Sequence, residues 1–363
     1  MDRKRHAKQE QEIDSLLDRL KKEPDTGRKM LDLAAALDNQ GRGQLAAYVE
    51  RQALRFEEPT TIHRWRLIQS RRAPANQFLL LNNDCRTAAF SRALIERVGP
   101  GDLVLEIGTG SGILAMLAAR AGANQVVTCE HQGFMAQVAG EIIRDNHLEK
   151  KIRVVPKRIQ EFQVGIELPR RADTLVSDLF TGALLDAGGL KLVHYARRNL
   201  VREEGSVLPA KATLRGRLVG GADMERLCRT QSVAGFDLSR FNVFSPPVVQ
   251  ISPERFTALD YQTFSPALDL FHFNFDTLEG FEPRKRALNI QSTGRGEIAG
   301  LLQWLKLEVS PGNVLESDEQ SSISWGRYLH VFPDSIRTES AEVVRLHLEH
   351  DWTRFSVWPD TER

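Results

Sequence analysis

Three glycines at alternate positions, Gly108, Gly110 and Gly112, follow an acid in the segment Glu106-Ile107-Gly108-Thr109-Gly110-Ser111-Gly112. Glycine permits a tight turn and lets a ligand lie against the main chain. The spacing differs from G-x-G-x-x-G, and no Lys-Ser/Thr follows as in a P-loop, so a pyrophosphate is disfavoured. One strand-helix-strand unit later, Glu130 ends the run Val126-Val127-Thr128-Cys129. A carboxylate there can accept hydrogen bonds from both hydroxyls of a ribose. Taken alone, Glu130 could be an ordinary surface acid at a strand end; the glycine loop upstream favours the ribose. Together the two features describe a site for a nucleoside without a diphosphate, and S-adenosylmethionine fits best.

Such a site needs strands that end at one edge of a sheet. Buried-strand runs fall at 103–107, 126–129, 152–155 and 174–177, with helical patterns at 113–121 and 134–146 between them. That alternation predicts βαβ crossovers and a mostly parallel sheet. After Pro209 the period becomes two: Phe271, Phe273 and Phe275 alternate with His272, Asn274 and Asp276, and Val344, Leu346 and Leu348 with polar neighbours. Further strand candidates at 214–219, 305–309 and 329–332 predict an antiparallel sandwich or barrel. Residues 10–57 read as helix, with Ile13, Leu16, Leu17 and Leu20, then Leu31, Ala34 and Leu37, at helical spacing. A break at Gly41 and Gly43 leaves two readings: one tetratricopeptide-type helix pair, or a helical cap on the next domain.

The chain has 363 residues, which suits two domains with a short appendage. Its 49 Lys and Arg balance 48 Asp and Glu, and a net charge of +1 argues against a nucleic-acid partner. No apolar run approaches a membrane span, and the charged start reads as no secretory signal, so no membrane partner is expected. Cys85, Cys129 and Cys228 fit a reduced, cytoplasmic compartment. The scattered histidines form no ligand pair, so no metal is expected.

The glycine segment, with Ile113-Leu114 and then Ala118-Ala119-Arg120-Ala121-Gly122-Ala123, resembles the first motif of class I methyltransferases, and of the protein arginine N-methyltransferase family in particular. Asp84-Cys85-Arg86-Thr87, Leu208-Pro209, Gly235-Phe236-Asp237-Leu238 and Ser324-Trp325-Gly326 resemble that family's later segments in order, over roughly residues 76–358. The resemblance implies a Rossmann-like methyltransferase domain followed by an antiparallel β-barrel. It implies S-adenosylmethionine bound by Arg86, Glu106, Gly108, Gly110, Gly112, Glu130, Gln160 and Glu161, with Arg86 on the cofactor carboxylate.

The family grips a guanidinium with two glutamates after the fourth strand. Here Asp178 stands for the first and Asp186 is the candidate for the second, one residue nearer than the pattern requires. Two carboxylates on one planar cation fix its orientation through charge-assisted hydrogen bonds. Ser324 replaces a family histidine beside Trp325; their loop is expected to face the substrate pocket, with Trp325 either in the pocket wall or in the core. Gln77 and Gln160 replace another histidine and a glutamate. The departures bear on the acceptor more than on methyl transfer, leaving an arginine-containing protein or peptide, or free arginine, as substrate. The implied layout is a helical extension at 1–58, a cofactor domain at 59–208, and a barrel at 209–363 whose arm near 221–252 makes a homodimer. The alternatives are another amine or hydroxyl acceptor, or a binding module that works through its N-terminal helices.

Overall fold

A computed structural model describes residues 15, 17–20, 25–40, 42–56, 59–72, 77–186, 188–277, 280–319, 321, 323 and 325–360. Ser324, the predicted helical stretch at 10–14 with Ile13, and Leu16 lie outside them.

Helices α1 (Thr26–Asn39), α2 (Gly43–Ala53) and α3 (Pro59–Arg72) make their own apolar cluster. Met30, Leu31, Ala34 and Leu37 share one face of α1 and meet Leu45, Ala46, Val49 and Ala53 of α2, with Ile68 of α3 closing the cluster. Arg51 of α2 reaches the next layer, donating to Gln137 at 3.3 Å. The short α4 (Gln77–Leu81) and α5 (Asp84–Arg97) then lead into the main sheet.

That sheet holds β1 (Leu103–Ile107), β2 (Gln125–Cys129), β3 (Ile152–Val155), β4 (Ala172–Ser177) and β5 (Val201–Leu208) in the order β3-β2-β1-β4-β5. Every pairing is parallel. β1 and β4 are buried along their whole length, including the charged Glu106 of β1 and Asp173 of β4. Helices α6 (Ile113–Ala121), α7 (Gly133–Asp145) and α8 (Gly189–Asn199) supply the crossovers. Strand order reverses between β1 and β4, so the loops leaving those two strands open onto one crevice. β5 is absent from the sequence reading because Arg202, Glu203 and Glu204 are exposed at its edge and mask its apolar end.

The C-terminal half is antiparallel and barrel-like. It comprises β6 (Lys211–Gly220), β7 (Ser232–Val233), β8 (Phe236–Asp237), β9 (Val248–Ile251), β10 (Gln262–Thr263), β11 (Leu268–Asn274), β12 (Arg284–Gln291), β13 (Gly296–Ser310), β14 (Asn313–Glu316), β15 (Arg327–Thr338), β16 (Val343–His350) and β17 (Phe355–Pro359). The largest sheet runs β10-β6-β13-β15-β9, with β11 on β6 and β14 on β13; β12-β16-β17 form another. Phe271 and Phe273 are buried while His272 and Asn274 are exposed, the alternation of a half-buried strand. One apolar core continues from the parallel sheet into this half. At the join, Phe275 stacks on Phe180 of the loop after β4, ring centres 5.1 Å apart. Among the described residues no helix is long and apolar enough to cross a membrane.

Candidate active site

The glycine loop is shaped by its own backbone. Gly108 has φ +82°, and a Cβ there would lie 2.5 Å from Leu179 Cδ2. A side chain there would be strained by the left-handed backbone and would have to displace Leu179, so glycine favours the close approach of the loops after β1 and β4. Gly108 and Thr109 both donate their N–H to the Cys129 carbonyl at 3.0 Å, and Thr109 Oγ1 meets Thr128 Oγ1 at 2.7 Å. These bonds fasten the loop to the end of β2, beside Glu130. Glu130 Oε2 accepts from Gly110 N–H at 3.3 Å and Oε1 from Gln132 N–H at 3.0 Å, so the carboxylate is fixed above the loop.

Beneath the loop sits Glu106, 1% exposed, with Oε2 unpartnered. Burial raises its carboxyl to about 8, so it holds its proton at neutral pH. Burial also pushes the Cys129 thiol up to about 12, which makes it an apolar wall and not a nucleophile.

On the other side, Asn83 caps α5 by accepting from the Arg86 N–H at 2.9 Å. The cap sets the first turn of the helix so that the Arg86 side chain enters the crevice. Its Nε donates to Asp178 Oδ2 in a buried ion pair, with side chains 8% and 3% exposed. Asp178 Oδ1 is buried with no partner. Burial raises the Asp178 carboxyl, and the Arg86 charge offsets part of the rise.

A cavity of about 420 Å³ joins the two sides. Arg86, Glu106, Gly108, Gly110, Glu130, Gln160 and Asp178 all line it. Gly112 does not; it caps α6 with φ +83°, starting the helix behind the loop. Glu161 is exposed outside the cavity wall. Asp186 is also exposed there, accepting from Thr181 Oγ1 at 2.6 Å. Trp325 is 2% exposed within the core, with its Nε1 unpartnered, and it is not part of the wall either. Leu179, Lys157 and Arg158 also belong to the wall, without any motif to mark them in the sequence. Their one sequence signal is position: each follows shortly after a strand of a parallel sheet, at the edge where such sheets bind ligands.

Residues 86–188 match the family described as ribosomal protein L11 methyltransferase (PrmA). The chain is 31% identical over 291 residues to the arginine N(omega)-methyltransferase of Streptomyces achromogenes subsp. streptozoticus, covering 80% of this chain and 79% of that protein. It is 28% identical over 221 residues to protein arginine N-methyltransferase 7 of Drosophila ananassae, covering 58% of this chain and 32% of that protein, so it spans about a third of that relative's length. The fold is shared with the Trypanosoma brucei PRMT1 enzyme-prozyme heterotetrameric complex with AdoHcy, at a TM-score of 0.65 and 21% identity over 77% of this chain and 88% of that one.

Proposed function

This chain belongs to the protein arginine N-methyltransferase family, and we propose that it is an S-adenosylmethionine-dependent enzyme that methylates an arginine guanidino nitrogen, in a protein or peptide or as free arginine. The observation that carries the reading is Asp178: a buried carboxylate on the cavity wall with one oxygen paired to Arg86 and the other unpartnered. A cation or hydrogen-bond donor arriving in the cavity would satisfy that free oxygen.

The wall fits the cofactor. Glu130 would hold the ribose hydroxyls, Gly108 and Gly110 let the nucleoside approach the backbone, and Arg86 would take the carboxylate. S-adenosylmethionine supplies an electrophilic methyl on a sulfonium. Asp178 orients the acceptor by pairing with guanidinium N–H groups, and its charge holds the cation's charge on nitrogens that do not react. Lone-pair character then remains on the attacking nitrogen, and most of the catalysis is positioning. Asp186 is exposed, accepts from Thr181 and is not part of the cavity wall, so Asp178 is the acidic contact to the acceptor and Asp186 contributes little.

One observation favours free arginine as acceptor: a relative aligned over 80% of this chain and 79% of its own length bears the name arginine N(omega)-methyltransferase, with no mention of protein. Methyl-labelled cofactor offered with free arginine and with arginine-containing peptides decides between them, read by mass spectrometry. Label on either acceptor supports the enzyme reading, and the faster of the two names the substrate; no label on either refutes it.

The segment 221–252 supports a homodimer. It carries the β7–β8 hairpin and exposes Phe236 at 71% and Phe244 at 74%, with Phe241 and Val243 beside them. Large apolar side chains grouped on a protrusion call for a partner surface. Replacing Phe236 and Phe244 by Ser should halve the mass in solution; a monomeric wild type would contradict the assignment. Three unpaired cysteines support the reducing environment of the cytoplasm as its place of action.

A further inference from the structure

The loop that carries Asp178 is fastened to the barrel at a buried point away from the cavity wall. Gln303 of β13, 1% exposed, donates from Nε2 to the Gly182 carbonyl at 2.9 Å. Its Oε1 lies 2.8 Å from His330 Nε2 on the neighbouring β15. An amide oxygen only accepts, so His330 Nε2 carries the proton. Burial pulls the His330 imidazole down to about 4, so the ring is a neutral donor over the working pH range. Gly182 lies midway between Asp178 and Asp186, and a Cβ there would lie 1.9 Å from the Gly326 carbonyl. Barrel backbone therefore bounds the loop at the residue that Gln303 holds. A buried amide-imidazole pair contributes little net stability over apolar side chains of the same shape, but it fixes one loop geometry.

We propose that Gln303, oriented by His330, is a positioning residue for the acceptor: by holding Gly182 it sets where Asp178 meets the guanidinium. The proposal rests on the arginine-methyltransferase reading given above. Gln303 lies outside the cavity wall, so its effect on the reaction passes entirely through the loop.

Gln303→Met keeps the side-chain length and removes both hydrogen bonds. Wild-type methyl transfer to free arginine and to arginine peptides is measured first; if neither is methylated, the reading beneath this proposal fails and the proposal with it. With an active wild type, Gln303→Met should lower kcat/KM for the acceptor about 10- to 100-fold. Cofactor Kd by calorimetry should stay within about twofold, because the two sites share no hydrogen bond through Gln303. Unchanged acceptor KM and kcat would overturn the positioning role alone. An equal fall in acceptor and cofactor binding would also overturn it, since the pair would then be a brace for the whole fold. If Gln303→Met does not fold, Gly182→Ala is the deciding variant. It pushes the loop off Gly326 and must show the same split between acceptor and cofactor; failure to show it rejects the proposal.

Discussion

The two sides of the cavity are built in different ways. On the cofactor side, Glu106, the glycine loop and Glu130 lie within one βα unit and its following strand, and the loop is held mainly by backbone bonds to Cys129. On the acceptor side, Asp178 is fixed by partners distant in sequence: Arg86 on α5, Phe275 against Phe180, and Gln303 against Gly182. A backbone-built site tolerates change around it, because the N–H and C=O groups do not depend on neighbouring side chains. A site assembled from distant side chains can be retuned by changing any one of them. On the proposed reading, the glycine loop and Glu130 are the fixed part of the site and the Asp178 loop the adjustable part, with Arg86 shared between them.

The largest break in that comparison should come from Asp178→Asn. It takes the charge from a buried pair, at a cost of about 3–5 kcal/mol, or two or more decades in rate if expressed in the transition state. Cofactor affinity, measured by calorimetry, should be nearly unchanged, so the loss falls on one side only. A variant that lost both together would merge the two halves.

Glu130→Ala probes the other side. Losing the ribose contact should weaken cofactor binding by about 1–3 kcal/mol and leave kcat at saturating cofactor close to wild type. Unchanged affinity in the same calorimetric titration would remove Glu130 from the cofactor site.

How much of this was legible in the sequence follows the same division. Gly108, Gly110 and Glu130 announce themselves because local spacing, strand and turn act together within one short segment. The parallel strands β1 to β4 were readable for the same reason, as buried runs between helices. Asp178 is visible through family resemblance and its place just after a buried strand, but neither its pairing with Arg86 nor Gln303's hold on Gly182 leaves a local trace. Asp186 shows the limit from the other direction: the family pattern makes it a candidate although its spacing is one residue short, and it lies exposed with Thr181 as its hydrogen-bond donor. Trp325, open in the sequence between pocket wall and core because an aromatic beside a loop is equally at home in either, lies in the core.

A subtler test concerns Glu106. Its folded carboxyl is raised from 4.5 to about 8, so between those values the folded state keeps a proton that the unfolded chain has lost. Stability from this group is full below about 4.5 and declines as pH rises toward about 8. Denaturant unfolding of wild type and Glu106→Gln across that range should show the decline only in wild type. Identical slopes would mean Glu106 is ionised in its buried position.

The smallest effect is expected at Asp186→Asn, less than about fivefold on kcat/KM, as an exposed carboxylate is worth little in water. A loss as large as that of Asp178→Asn would show that the loop turns inward when acceptor binds.

The central proposal for the site is that Asp178 directs a guanidino nitrogen to the methyl group. The most direct test offers methyl-labelled S-adenosylmethionine and the preferred arginine acceptor to wild type and to Asp178→Asn, and locates the label by tandem mass spectrometry. We expect label on a guanidino nitrogen with wild type and almost none with Asp178→Asn at full cofactor occupancy. Label on any other atom, or equal labelling by the two proteins, would contradict the account.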